Sequence, residues 1–244
     1  MAELFNITLE NGDLSDFDTT VEDGGNLSVT RAAALLGTTY GMQAFVDDTT
    51  AIYAEKTWTL TTEILRFRFY FDPNGITMVE GDNFNISTVM RLGTARFQIR
   101  LMWTSGAYYI DTRLRDDNSS WADSADTLLT DEVHLIEYEV TRATGPTAFD
   151  GRIKLWLDGI EISTLTGDNY DTWSTTADLD EFRVGAAGGI DVGTSGTIYF
   201  DEIKGNDDGT LIGPVTTAGA RGRYETADYG AEARSRYGAS GGRY

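Results

Sequence analysis

Glu137 and Glu139 lie two residues apart in a run, His134 to Arg142, that alternates apolar and polar side chains. On a strand their Cα atoms would stand about 6.6 Å apart with both carboxylates on one face. Hydrolysis of a glycosidic bond needs two carboxyl groups about 5–9.5 Å apart, so the pair is admissible for that chemistry. Alternating acids on a solvated strand face are also commonplace, and Thr141 and Arg142 follow where a further acid on the same strand would belong. The only histidine, His134, starts this strand on its apolar side, which suits a packed or edge residue. No Gly-rich phosphate loop, Ser/His/Asp order or histidine metal cluster is visible.

Arginine is the second chemically suggestive feature. Arg66, Arg68, Arg96, Arg100, Arg113 and Arg115 fall at the non-core positions of three alternating runs, Leu65 to Phe71, Arg96 to Leu101 and Ile110 to Arg115. Guanidinium forks suit carboxylates and sulfates, and Tyr70 and Gln98 on the same faces would add a ring and an amide. One reading is therefore a face that binds an acidic glycan or an acidic patch on a neighbouring subunit. The other is that these arginines pair across strands with Glu63, Asp111, Glu137 and Glu139. Trp121 and Trp173, in polar contexts, are further candidates for ligand contact.

The elements that would carry these residues are strands. Alternation recurs from residue 3 to 213, with further runs at Gly151 to Asp158, Glu161 to Leu165, Phe182 to Gly185 and Thr197 to Lys204. Asp158-Gly159 between Leu157 and Ile160 is a two-residue hairpin signal, because both residues tolerate positive φ. Asp72-Pro73-Asn74-Gly75 reads as a turn. The one helix-like stretch, Arg31 to Leu36, is too short to organise a domain. About ten strands and no long helix imply an all-β sandwich or barrel. Residues 215–244 differ. They hold five arginines against three acids, so they carry about +2 while the rest carries about −22. They repeat an Arg-Tyr pair at Arg223-Tyr224, Arg236-Tyr237 and Arg243-Tyr244 and lack the aliphatic residues for a core. The chain thus divides into a sandwich, 1–214, and a Gly/Arg/Tyr-rich tail, 215–244, whose Arg-Tyr pairs suit docking on a neighbouring subunit.

The opening Leu9-Glu10-Asn11-Gly12-Asp13-Leu14-Ser15-Asp16-Phe17, the closing Ile198-Tyr199-Phe200-Asp201-Glu202-Ile203 and the hairpin Lys154 to Glu161 resemble concanavalin A-like and laminin G-like domains, including carbohydrate-binding modules. The resemblance implies a two-sheet antiparallel jelly roll of the lectin kind over residues 3–214. It also implies a structural Ca2+ where the first and last strands meet, held by Glu10, Asp13 and Asp201, since calcium takes six to eight oxygens. Lyases of this fold would pair a His or Tyr base with Arg and Gln. Arg96-Phe97-Gln98-Ile99-Arg100 supplies part of that set, but an accompanying Gln-x-His is missing.

A formal charge of −20 opposes general binding to nucleic acid or anionic membranes. With no cysteine there is neither a disulfide framework nor a thiolate metal site. The N-terminus has no basic and apolar regions of a secretory signal. Together these features lead us to expect a non-catalytic structural or adhesive protein on the surface of a virion-like particle, partnered by copies of itself or other particle subunits. The alternatives are a secreted carbohydrate-binding module and a polysaccharide-degrading hydrolase or lyase.

Overall fold

The computed structural model describes residues 3–59, 64–116, 118–145, 147–162, 165 and 179–215. The first half contributes β1 (Glu3–Ile7), β2 (Thr19–Val21), β3 (Leu27–Thr30), β4 (Gly41–Val46), β5 (Ile52–Thr57), β6 (Ile64–Asp72), β7 (Asn83–Arg91) and β8 (Thr94–Thr104). The second contributes β9 (Ala107–Arg115), β10 (Trp121–Asp123), β11 (Thr127–Leu129), β12 (His134–Thr141), β13 (Arg152–Leu157), β14 (Ile160–Glu161), β15 (Glu181–Ala186) and β16 (Gly196–Asn206). They form two antiparallel sheets, each of eight strands. The first has the order β14-β13-β12-β6-β16-β4-β3, with β1 beside β16; the second has β10-β9-β8-β7-β15-β5-β2, with β11 beside β9. This is the all-β sandwich expected from the alternation.

Period-two patterning explains the packing. On β6, Leu65, Phe67, Phe69 and Phe71 are fully buried in the core, while Arg66, Arg68 and Tyr70 point out of the sandwich. On β8 the same rule buries Phe97, Ile99 and Leu101 and sends Gln98 and Arg100 outward. The sheets meet through rings, with Phe67 stacked on Phe182 at 4.8 Å between centroids. A hydrogen bond crosses beside them, between Tyr138 Oη and Ser87 Oγ at 2.7 Å. Burial holds the Tyr138 phenol well above its ordinary pKa, so it stays protonated.

The Asp158-Gly159 turn joins β13 to β14 as expected, with φ of 50° and 81°. Its Asp158 carboxylate also accepts the Leu135 N–H at 2.8 Å and bonds His134 Nδ1 at 2.7 Å. Arg31 to Leu36 forms turns rather than a helix, because Leu35 donates its N–H to the buried Asp201 instead of to a helical carbonyl.

The outer faces of the two sheets are finished differently. Residues 207–215 cross the outside of the first sheet. There Ile212 and Gly213 donate their N–H groups to Glu137, Gly209 O accepts from Arg66, and Val215 donates to Tyr70 Oη. Val215 also packs on a small outer cluster of Leu35, Tyr70 and Leu135. Over the second sheet, no hydrogen bond among the described residues ties a segment from outside the sheet to Gln98, Thr88, Arg100 or Arg183.

Candidate functional site

Strand register builds one continuous polar row across the outer face of the second sheet. Asp123 on β10 faces Arg113 on β9, which faces Gln98 on β8. Gln98 faces Thr88 on β7, Thr88 faces Arg183 on β15, and Arg183 faces Glu55 on β5. At about 4.8 Å per strand the row extends about 24 Å. Outward positions on adjacent strands must align in this way once the inward set is fixed by the core, so the apolar residues position the polar ones.

Ion pairs hold the two ends. Arg113 Nε reaches Asp123 Oδ1 at 3.0 Å. Arg100, one step along β8, makes a fork with the Asp111 carboxylate and reaches Asp123 at 3.2 Å. Burial opposes the charge on Arg100, but the two aspartates outweigh it and its pKa is raised. At the other end Arg183 Nε lies 3.1 Å from Glu55 Oε2 and 2.5 Å from Glu181 Oε1, with its guanidinium 4.4 Å from the Tyr53 ring centre. Burial raises the Glu181 pKa. Arg183 works against that shift and the nearby Glu55 carboxylate adds to it. Beside Glu181 opens a cleft of about 370 Å³ lined also by Thr57, Trp58, Thr59 and Asp180.

The middle of the row is unfinished. Thr88 is 3% exposed and its hydroxyl has no hydrogen-bond partner among the described residues. Gln98 is 8% exposed, and no hydrogen bond to its amide occurs among the described residues. A buried polar group without a partner costs about 1–3 kcal/mol. The Gln98 amide, which keeps some exposure between two arginines, is what a polar ligand can satisfy.

The arginines expected on one face divide between two sheets. Arg96, Gln98, Arg100, Arg113 and Arg115 belong to the second sheet, near the row. Arg66, Arg68 and Tyr70 lie on the first, where residues 207–215 cover them. Arg66 bonds Glu137 at 3.1 Å and Glu139 at 2.6 Å, and lies 4.3 Å from the ring centre of Trp156. Arg68 is 3% exposed, lies 3.9 Å from Glu202, and is pushed below its usual pKa by burial. Burial raises the Tyr70 phenol. Glu137 and Glu139 are therefore not on a solvated face, and with their oxygens taken by arginines and N–H groups they cannot act as a hydrolytic pair. His134 is held between Asp158 and Thr130, a structural setting.

Glu10, Asp13 and Asp201 are not brought together, and the set does not fit a calcium ion. Glu10 accepts from Thr39 and Tyr40, Asp13 from Ser15, and Asp201 from Leu35, Thr38 and Glu202. Among the described residues the acids that do converge are Asp23, Asp47 and Asp48. Trp121 stands at the edge of the second sheet against Arg113 and Arg115. Trp173 and the tail residues Arg223, Tyr224, Arg236, Tyr237, Arg243 and Tyr244 lie outside the described residues.

Comparison with known proteins bears on the architecture. No family model and no curated protein sequence matches the chain. Solved structures do. "Cellulose induced protein, Cip1" superposes with a TM-score of 0.60 at 15% identity, covering 86% of this chain and 100% of that one. The alginate lyase vAL-1 from Chlorella virus superposes with a TM-score of 0.50 at 13% identity, covering 78% of this chain and 99% of that one. An engineered GH43 glycoside hydrolase matches at a TM-score of 0.50 and 13% identity, covering 76% of this chain and 37% of that one. The chain shares the jelly-roll fold of these proteins.

That result corrects two expectations. A non-catalytic particle protein was expected from the jelly roll, the acidic charge, the missing cysteine and signal and the Arg-Tyr tail, and the absence of enzymatic activity from missing motifs. The lyase occupies this same fold over nearly its whole length, and a glycoside hydrolase shares it over part of its own. Missing motifs in such a jelly roll therefore do not argue against catalysis, and both expectations are withdrawn. Sequence reasoning also missed Thr88, Arg183, Glu55, Glu181 and Tyr53. Only the alternation of β15 hinted at Arg183; the rest meet through pairings between strands remote in sequence.

Proposed function

We propose that this chain is a polysaccharide-degrading enzyme that lays an acidic polysaccharide along the polar row of the second sheet and cleaves it by elimination. The observation that carries the reading is the register that sets the Gln98 amide between Arg113 and Arg183 on one outer face, with the Glu181 carboxylate against Arg183. A uronate carboxylate placed there would receive hydrogen bonds from the Gln98 amide and charge from the arginines. Neutralising that carboxylate acidifies the proton on the ring carbon that bears it.

Glu181 is the candidate proton acceptor, since burial beside a second carboxylate is how a catalytic glutamate is tuned toward neutral pH. As it takes the ring proton, the released electron pair forms a carbon–carbon double bond to the neighbouring carbon. The glycosidic C–O bond there breaks, and the leaving oxygen takes a proton from water. Hydrolysis fits less well. Glu55 and Glu181 both contact the same Arg183 nitrogen, which leaves no place between them for the water of an inverting hydrolase and ties up both carboxylates for a retaining one.

The test is incubation of the full chain with acidic and neutral polysaccharides, following both unsaturated ends and reducing ends. Both should rise together on an acidic polymer. Glu181→Gln should lower the rate at least about 100-fold, the usual scale for a lost general base. Activity should fall as the pH drops through a midpoint above the ordinary glutamate value, because the base must be ionised. Reducing ends without unsaturated ends would replace elimination by hydrolysis. No cleavage of any polymer would overturn the reading.

A further inference from the structure

Arg115 differs from three arginines of the same face. Arg100, Arg113 and Arg183 each hold a carboxylate. Arg115 has no carboxylate partner among the described residues, and its Nε is buried without a hydrogen bond. In a chain of net charge −20, a half-buried arginine left without an acid is not explained by a shortage of acids. It is not free to wander either. It stands directly opposite Trp121 in the β9–β10 pairing, with its guanidinium carbon 5.8 Å from the indole centre. The Arg113 guanidinium lies 4.6 Å from the same ring. A guanidinium ordered against an indole keeps its hydrogen-bonding edge for a planar anion and loses little entropy on binding one.

We infer that Arg115, positioned by Trp121, is a distal receptor for a second acidic group of the same polymer, so that the chain binds acidic oligosaccharides according to their length. The inference rests on the polysaccharide reading above. Its geometry follows from the strand order. Arg115 lies on β9 and Glu181 on β15, with β8 and β7 between them. Three strand spacings amount to about 14 Å. That separation is too long for one sugar ring and suits a short oligosaccharide whose acidic groups recur along it. Occupancy at Arg115 would anchor several sugar units beyond the reacting bond, favouring polymer over dimer.

Calorimetry with uronate dimers and hexamers tests this, using Glu181→Gln protein so that nothing is consumed. The hexamer should bind more tightly than the dimer. Arg115→Gln should weaken hexamer binding about tenfold, the scale of one charge-assisted hydrogen bond, and leave dimer binding unchanged. Trp121→Ala should do the same, and Trp121→Phe should restore most of the loss, with melting curves verifying that each variant is folded. If Arg115→Gln leaves hexamer binding unchanged, or weakens dimer and hexamer equally, the distal receptor is wrong while the polysaccharide reading stands. If neither oligomer binds the Glu181→Gln protein, both are wrong.

Discussion

The two sheets carry arginines at equivalent outward positions and treat them in opposite ways. On the first, Arg66 and Arg68 are 4% and 3% exposed, and residues 207–215 run over them. Arg66 meets two glutamates, and Glu137 is capped in turn by two backbone N–H groups. On the second, Arg100, Arg113 and Arg183 keep partial exposure, pair within the sheet, and leave the Gln98 amide without a hydrogen bond among the described residues. A buried charge must have its partners supplied by the protein, whereas a half-exposed one can share water and wait for a ligand. What separates structure from site here is the segment that lies above, not the residue type.

The largest test removes one partner from the finished face. Glu137→Ala leaves Arg66 short of a carboxylate and orphans the Ile212 and Gly213 N–H groups. Breaking a buried pair from one side costs about 3–5 kcal/mol, so denaturant unfolding should show a loss of that order. A loss below about 1 kcal/mol would mean that the covered face is no more committed than the open one.

Next comes a pH effect, also confined to the first sheet. Asp201 is fully buried beneath the Leu35 to Thr38 turn, and burial raises its pKa to about 6 although Thr38, Leu35 and Glu202 donate to it. A carboxyl raised on folding binds its proton more tightly in the native state. Its stabilising contribution is therefore complete below the ordinary aspartate value and disappears as the pH rises through about 6. The full swing is about 3 kcal/mol. Unfolding measured across that window should lose this slope in Asp201→Asn, and an unchanged slope would assign the effect elsewhere.

A smaller effect of opposite sign is expected on the second sheet. Thr88→Val removes a buried hydroxyl that bonds to nothing and keeps the shape of the side chain. Stability should stay level or rise by about 1 kcal/mol. A stability loss instead would show that the hydroxyl serves the fold.

How much of this was legible in the sequence follows from the same contrast. The alternation of Leu65 to Phe71 and Arg96 to Leu101 specifies strands and faces, and Asp158-Gly159 specifies a hairpin, because both signals are local. Which sheet a strand joins is not local. Arg66 and Arg100 have the same pattern around them, and only the pairing of β6 with β12 and β16, and of β8 with β7 and β9, separates them. Glu181 and Glu55 meet through the pairing of β15 with β5, which no short motif announces. The covering of Glu137 by Ile212 and Gly213 was equally invisible, since those residues read as the approach to a tail.

The smallest stability effect should come from Arg113, and it isolates binding from folding most cleanly. Its pair with Asp123 joins side chains that are 24% and 43% exposed. Exposed pairs contribute about 0–1 kcal/mol, since water competes for both partners and ordering two side chains costs entropy. Arg113→Gln should therefore leave the unfolding midpoint nearly where it was. Its charge nevertheless stands next to Gln98 in the row, where an acidic polymer would lie. Binding to that polymer should weaken, and the weakening should shrink as salt is raised, because salt screens the attraction that the variant has lost. A variant that binds as tightly as the parent at low salt would remove Arg113 from the site. One that unfolds as readily as Glu137→Ala would erase the distinction between the two faces.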